Sequence, residues 1–336
     1  MRAIESPLRV VCRRIARVAL VLAVGSALVG GRALAQSPPI FAPSRAPASG
    51  APFSPASVDE RVITLNLAPL AAGAASITLA RIDGTTFEAQ RTSFEQRAPD
   101  DYTWRGSVGS TGQVTLTAHR GMLAGLIVSD GEVFEILTRG RRGQRIAKID
   151  QSRLGGCATD AGHEHDERSA LSASQAAEAG RAASAASTAS TAQIDVMAVY
   201  TPQAQTAAGG VAAIQTTIQA AVDVANTAFI NSQIDAHYNL VHTALVAHDD
   251  QLDSAKDLAW LSTDATVASL RVAHYADLVG LITGTLESGI CGRAYVQRVV
   301  SPEFATSAFM VSSLSCAVGN LSYAHEHGHN LGAEHD

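Results

Sequence analysis

Basic residues are scarce in the part of the chain that carries its chemistry: residues 194–336 hold four Lys or Arg against fourteen Asp or Glu. A protein that tracks a phosphate backbone needs clustered cations, so a nucleic-acid partner is not expected. Long apolar runs are also missing. The stretch from Val18 to Val29 is too short to span a bilayer and is followed by Arg32. Cysteine is sparse, with four in 336 residues, which excludes a disulfide-built scaffold and leaves a hydrophobic core to hold the fold. The hydrophobic fraction of 46% is sufficient for that, and the length allows one or two domains.

The N-terminus has the plan of an export leader. Arg9, Arg13, Arg14 and Arg17 form a positive region, Val18 to Val29 an apolar core, and Ala33-Leu34-Ala35 a small-residue cleavage site before Gln36. Residues 1–35 therefore read as a signal peptide, with an uncleaved anchor as the alternative. The expected destination is secreted, extracellular or periplasmic, with no stable membrane insertion after cleavage. Cys12 leaves with the leader. Of the remaining three, Cys291 and Cys316 are a strand-turn-strand length apart and are expected to pair in an oxidising compartment, leaving Cys157 odd.

Residues 36–57 are rich in Pro, Ala and Ser without periodicity and read as a flexible lead-in. Residues 58–160 switch to short alternating runs (VITLNL, SITLARI, QVTLTAH, VFEILT) punctuated by Gly and Asp, the pattern of a small β-rich domain. Its place between leader and C-terminal domain is that of a propeptide. Arg139, Arg141, Arg142 and Arg145 fit either a processing site or a solvated turn. Residues 161–193 are an Ala/Ser-rich linker in which maturation is expected, and His163 to Asp166 within it are more often merely polar than ligands.

From Ile194 the pattern becomes α+β: a strand to Tyr200, a helix with Val211, Ile214, Ile218, Val222, Ala225 and Phe229 at helical spacing, and a strand over Ala236 to Val246. A helix over Asp253 to Tyr275, broken near Ser262 to Asp264, and strands at Asp277 to Ile282, Arg293 to Val299 and Ser307 to Ser312 follow. A last helix is expected to turn Leu321, Ala324, Gly328 and Leu331 inward.

That helix carries HExxHxxGxxHD. His325 and His329, four residues apart, lie on one helical face and can share a metal ion. Glu326 is turned about 100° away, placed to act as a general base on water rather than as a ligand. Gly332 supplies a left-handed turn that brings back His335 as a third ligand. Three His leave one tetrahedral position open, the mark of catalytic rather than structural zinc. His327 points to the opposite side and cannot join them.

These residues, with IDVMAVYTP at Ile194, ADLVGLI, CGRAYV and SSLSCAVGNLSYAHEHGHNLGAEHD, resemble the metzincin zinc endopeptidases. The likeness is to the reprolysin or adamalysin-like branch, including the bacterial peptidyl-Asp metallopeptidases. The resemblance implies an α+β, zincin-like catalytic domain over 194–336, its mixed twisted sheet packed on helices, with Zn2+ on His325, His329 and His335 and Glu326 as base. It also implies a Met-bearing turn and C-terminal subdomain that lie beyond Asp336 and are missing from this sequence. An edge strand at Ala294, Tyr295 and Val296 would pair with extended substrate, the alternative being an ordinary covered edge. Cys157 could fill the open zinc position as a cysteine switch, or be a free thiol or the partner of another cysteine. The expected function is a secreted zinc metalloendopeptidase made as a preproprotein and acting on protein or peptide substrates. The alternatives are a zinc-binding but catalytically incomplete fragment, or a metallo-amidase acting on non-peptide amides.

Overall fold

The alternating runs of the N-terminal half become one antiparallel sheet. The computed structural model describes residues 39–50, 52–139, 143–159 and 191–335. The first sheet contains β1 (Phe41–Pro43), β2 (Ser57–Leu65), β3 (Ser76–Ala80), β4 (Thr86–Ala98), β5 (Asp101–Val108), β6 (Gly112–His119), β7 (Met122–Ser129), β8 (Glu132–Thr138) and β9 (Gln144–Ile149), with a one-turn helix α1 (Ala68–Ala71) between β2 and β3. The strand order is β1-β2-β9-β8-β7-β6-β5-β4-β3. Its two ends meet, because Ile40 N–H donates to the Thr78 carbonyl at 3.0 Å. A twisted sheet of this many strands curls rather than staying flat, and the curl encloses Phe41, Leu79, Trp104, Leu116, Leu123 and Ile136. Residues 40–57 are therefore not the flexible lead-in that composition suggests: Ile40 and Phe41 are fully buried and Phe41–Pro43 pairs with β2. Arg145 is not a solvated turn residue either. It is buried and donates to Glu60 Oε2 at 2.8 Å, while Arg141 and Arg142 lie outside the described residues.

The C-terminal half forms a second, mixed sheet. Its members are β10 (Gly156–Cys157), β11 (Ala192–Tyr200), β12 (Ala236–Leu245), β13 (Leu278–Thr283), β14 (Ile290–Ala294) and β15 (Phe309–Ser313), in the order β10-β14-β15-β13-β11-β12. All neighbouring pairs are parallel except β14 with β15. The central strands β11 and β13 are apolar on both faces, as a sheet covered on both sides requires. One face packs against α2 (Pro202–Ala208), α3 (Val211–Asn231) and α6 (Ser322–Asn330) through Val196, Ala198, Ile214, Ile218, Met310 and Tyr323. The other packs against α4 (Ser254–Thr263) and α5 (Ala265–Ala273) through Val199, Leu258, Leu261, Val267 and Val311. The break expected in the helix after Asp253 falls at Asp264, whose carboxylate accepts from Thr266 and Val267 N–H and starts α5.

The helix α3 lies between the two sheets. Its apolar stripe meets the mixed sheet, and its other face meets β6 and β7 of the antiparallel one. This explains why β5 and β6 are buried on both faces: Tyr102, Trp104 and Leu116 enter the curled core, while the alternating Thr103, Arg105, Thr115 and Thr117 press on α3. A second contact joins the sheets near Gly319, where a Cβ at Gly319 would fall on the carboxyl of the buried Glu135. Burial, followed by the nearby Glu60 charge, pushes Glu135 up to about 8.

Because the folded-state value lies above the ordinary 4.5, stability attributable to this group is complete below that pH and is lost as the pH rises toward about 8. Denaturant titrations of the full chain should show that loss, at up to about 1.4 kcal/mol per pH unit. Glu135→Gln should flatten it. An unchanged slope in the variant would remove Glu135 as its origin.

Candidate metal centre

The helix α6 presents its polar side inward. Tyr323, Glu326, His327, His329 and Asn330 are buried, whereas Leu321 and Leu331, expected on the inner face, are each 39% exposed, and Ala324 and Gly328 are only partly covered. The reason is hydrogen bonding. Asn330 Nδ2 donates to the Phe309 carbonyl at 3.0 Å and to the Tyr295 carbonyl at 2.9 Å, tying the helix to β15 and to the stretch after β14. His327 packs edge-on to Tyr323 and against Tyr238. Burial pushes it down to about 4, so it is a neutral core group at physiological pH.

The other three histidines converge. His325 Nε2 and His335 Nε2 are 2.9 Å apart, and His329 Nδ1–H donates to the Ala333 carbonyl at 2.7 Å. That bond fixes the tautomer and leaves the His329 Nε2 lone pair for a ligand, the usual outer support of a metal-bound imidazole. Gly332, at φ +93°, makes the left-handed turn that returns His335. Ligand atoms of His325, His329, His335 and Cys157 all lie within 4.8 Å of one another. Three imidazoles and one thiol at that spacing fit a single tetrahedral ion with N and S ligands.

Residues 215–336 match the model of a known family, metallo-peptidase family M12B, reprolysin-like. That part of the chain is similar to a reprolysin-like metallopeptidase domain. Two proteins called peptidyl-Asp metalloendopeptidase are similar to the chain. One, from Pseudomonas aeruginosa, is 30% identical over 153 residues, 42% of this chain and 25% of that protein. The other, from Xanthomonas campestris pv. campestris, is 27% identical over 354 aligned residues, 97% of this chain and 81% of that protein. The chain thus spans a quarter of the first relative and most of the second. A solved structure of metalloproteinase-II from Bacteroides fragilis aligns with 78% of this chain and 81% of its own at 13% identity and a TM-score of 0.45.

Within the reprolysin-like domain, the edge of the mixed sheet beside the metal centre is occupied. The strand expected at Arg293 to Val299 is β14, Ile290–Ala294, so of Ala294, Tyr295 and Val296 only Ala294 lies in the strand. Beyond it the chain leaves the sheet to cross α6, where Gln297 N–H donates to the His329 carbonyl at 2.9 Å. The outer edge of β14 is taken by residues 156–159. Gly156 and Ala158 N–H donate to the Gly289 and Gly292 carbonyls, and Ala294 N–H donates to Thr159 Oγ1. This pairing carries Cys157 to the histidines, with Sγ 3.5 Å from His329 Nε2 and 3.4 Å from Glu326 Oε2.

Two glycines permit these approaches. A Cβ on Gly155 would lie 2.7 Å from Cys291 Sγ, which is joined to Cys316 in a disulfide. A Cβ on Gly292 would lie 2.5 Å from Glu326 Oε1. Sequence reading passed over Gly292, although a glycine inside a strand pattern is itself a sign of close approach. Enclosed in this way, the Glu326 carboxyl is pushed up to about 9 by burial, then by the adjoining Cys157, with His329 and Thr159 acting against the rise. The tract His163 to Asp166, the leader and Asp336 lie outside the described residues. Among the described residues, no helix is long and apolar enough to cross a membrane.

Removing one imidazole should weaken the centre sharply. His335→Ala is expected to lower Zn2+ affinity by roughly a hundredfold or more, read by competition with a chromogenic chelator at neutral pH. Affinity within twofold of the parent would take His335 out of the ligand set.

Proposed function

We propose that this chain is the precursor of an exported zinc metalloendopeptidase, with His325, His329 and His335 holding the ion, Glu326 as general base, and Cys157 as the ligand that keeps the precursor silent. The observation that carries this reading is the convergence of the three imidazoles and one thiol, within 4.8 Å, beside a buried carboxyl. The thiol comes from the other side of the connecting residues 160–190, so a cut there would free residues 156–159 to leave. The leader of residues 1–35 would deliver the precursor to a compartment that also supports the Cys291–Cys316 disulfide.

Zinc, when bound there, supplies a Lewis acid that polarises the scissile carbonyl and acidifies water. The chain supplies the rest. Departure of residues 156–159 bares the outer edge of β14, where the backbone groups of Gly292 and Ala294, with that of Gly289 just before the strand, can then pair with an extended peptide by strand addition. The same departure removes Cys157 and Thr159 from Glu326 Oε2. The carboxylate, no longer raised by the thiol, takes a proton from water at Oε2 and hands it to the leaving amine. His329 is held through Nδ1 by the Ala333 carbonyl throughout. The relatives' name makes a peptide with Asp beside the scissile bond the first substrate to try. Arg298, on the stretch crossing α6 and paired with Glu334 at 2.5 Å, is the cation we assign to that recognition.

The test is hydrolysis of casein and of Asp-containing peptides by the processed protein, with and without a chelator. Glu326→Gln should keep stoichiometric zinc and lose at least about a thousandfold in kcat/KM; near-parent activity in that variant would falsify the role of Glu326. Cys157→Ser should make the uncut precursor hydrolyse substrate, and a precursor that remains silent without the thiol would remove the switch. Arg298→Gln should erase a preference for Asp over Ala peptides while leaving Ala-peptide cleavage within a few-fold. A preference that survives moves the recognition elsewhere.

A further inference from the structure

The face of α3 turned toward the antiparallel sheet has an unusual chemistry for a buried surface. Thr216, Ala220, Asp223 and Thr227 recur at spacings of four, three and four and form one stripe along the helix. The stripe on the opposite side, with Ile214 and Ile218, belongs to the core of the mixed sheet. Asp223 is 1% exposed and is met by groups from three successive strands of the other half. Thr103 Oγ1 on β5 donates to its Oδ2 at 2.5 Å and Thr117 Oγ1 on β6 at 2.6 Å. Arg97 on β4 and Arg105 on β5 each reach its Oδ1 at 3.4 Å. Arg105 also donates to Thr227 Oγ1 at 3.2 Å.

We propose that this stripe, centred on Asp223, is a docking surface for the antiparallel sheet that works independently of the thiol at the metal centre, so that the sheet, Phe41–Ile149, stays bound to the reprolysin-like domain after residues 160–190 are severed, even when residues 156–159 leave. The proposal rests on the reading that the two halves are parted by a cut in that connection. Three features favour a separable interface over a permanent core. A single buried carboxyl is costly unless both its charge and its lone pairs are met, and every group from outside α3 that meets it belongs to the other half. When the halves part, Asp223, Arg97 and Arg105 all return to water, and the stripe itself exposes only Thr, Ala and Asp, although Met122, Ala124 and Leu126 of β7 also leave an apolar contact with the core beside it. The surface is also selective, since an occupant must bring two guanidinium groups and two hydroxyls on adjacent strands. The antiparallel sheet is the segment of this chain that does so. Its arginines face a domain with four basic against fourteen acidic residues, which speeds encounter.

The experiment places a site for a sequence-specific protease between residues 170 and 190 of the full chain, in a Glu326→Gln background that prevents self-digestion. The protein is cut and its association followed by analytical ultracentrifugation from micromolar to nanomolar concentration. The severed parent should sediment as one complex, and so should the severed Cys157→Ser variant. Asp223→Ala should raise the dissociation constant at least a hundredfold, and Asp223→Asn by less. Should Asp223→Ala not fold before cutting, as judged by circular dichroism, Arg105→Gln on the opposing sheet decides the matter with the same expected direction. Immediate separation of the severed parent, or association lost through Cys157→Ser and retained through Asp223→Ala, overturns the proposal. Because sedimentation requires no hydrolysis, failure of the peptidase reading would show separately, as absence of zinc-dependent cleavage by the protein without the Glu326 substitution.

Discussion

The metal centre depends on how closely α6 lies against β14. Glu326 occupies the space that a side chain at residue 292 would fill, and only glycine leaves it free. With the helix seated there, Asn330 can bond to two backbone carbonyls across the gap, and the chain after β14 can bond to the His329 carbonyl. These contacts fix the helix in rotation as well as in distance. His325 and His329 then converge with Cys157 and His335 while His327 packs into the core against Tyr238 and Tyr323. Were α6 to lift by even the width of a methyl group, the imidazoles, the thiol and the carboxyl would no longer share a centre. Metal sites tolerate little of such error.

Local and distant information were unequally legible in the sequence. The ligand motif could be read directly because its residues are neighbours on one helix and one turn, and their spacing is the geometry. Cys157 drew attention only as an odd thiol; that it reaches His329 depends on two residues pairing with a strand more than a hundred positions away. Periodicity misjudged α6, since Leu321 and Leu331 lie outside and Asn330 and His327 inside. Hydrophobic pattern is a poor guide where buried polar groups are satisfied by specific bonds. It also extended β14 too far, because apolar residues continue past Ala294 where the chain leaves the sheet. The three-residue β1 offered too short a window for any pattern, and the Pro-rich composition around it outweighed Ile40 and Phe41.

Asp223 shows a different limit. A polar residue in a helix with an apolar stripe is ordinarily read as solvent-facing, and nothing nearby in sequence distinguishes it. Its surroundings come from Arg97, Thr103, Arg105 and Thr117, more than a hundred residues earlier, and are assembled only when the antiparallel sheet curls. The alternation in β5 and β6 contained half of this information. It marked two chemically different faces but could not say that the polar one was covered by protein rather than water.

The order of strands in the mixed sheet sets a length requirement on the connecting chain. β10 is at one end and β11 is the fifth strand along, so the separation between them is four strand spacings, roughly 19 Å. Between Cys157 and Ala192 lie 34 residues in which to cover it, with a contour reach of over 100 Å at about 3.3 Å per residue. That reach exceeds the separation by a wide margin. A cut in a connection of that length would therefore relieve no end-to-end tension in either strand. On the maturation proposed above, the chain break and the departure of β10 would therefore be separate events.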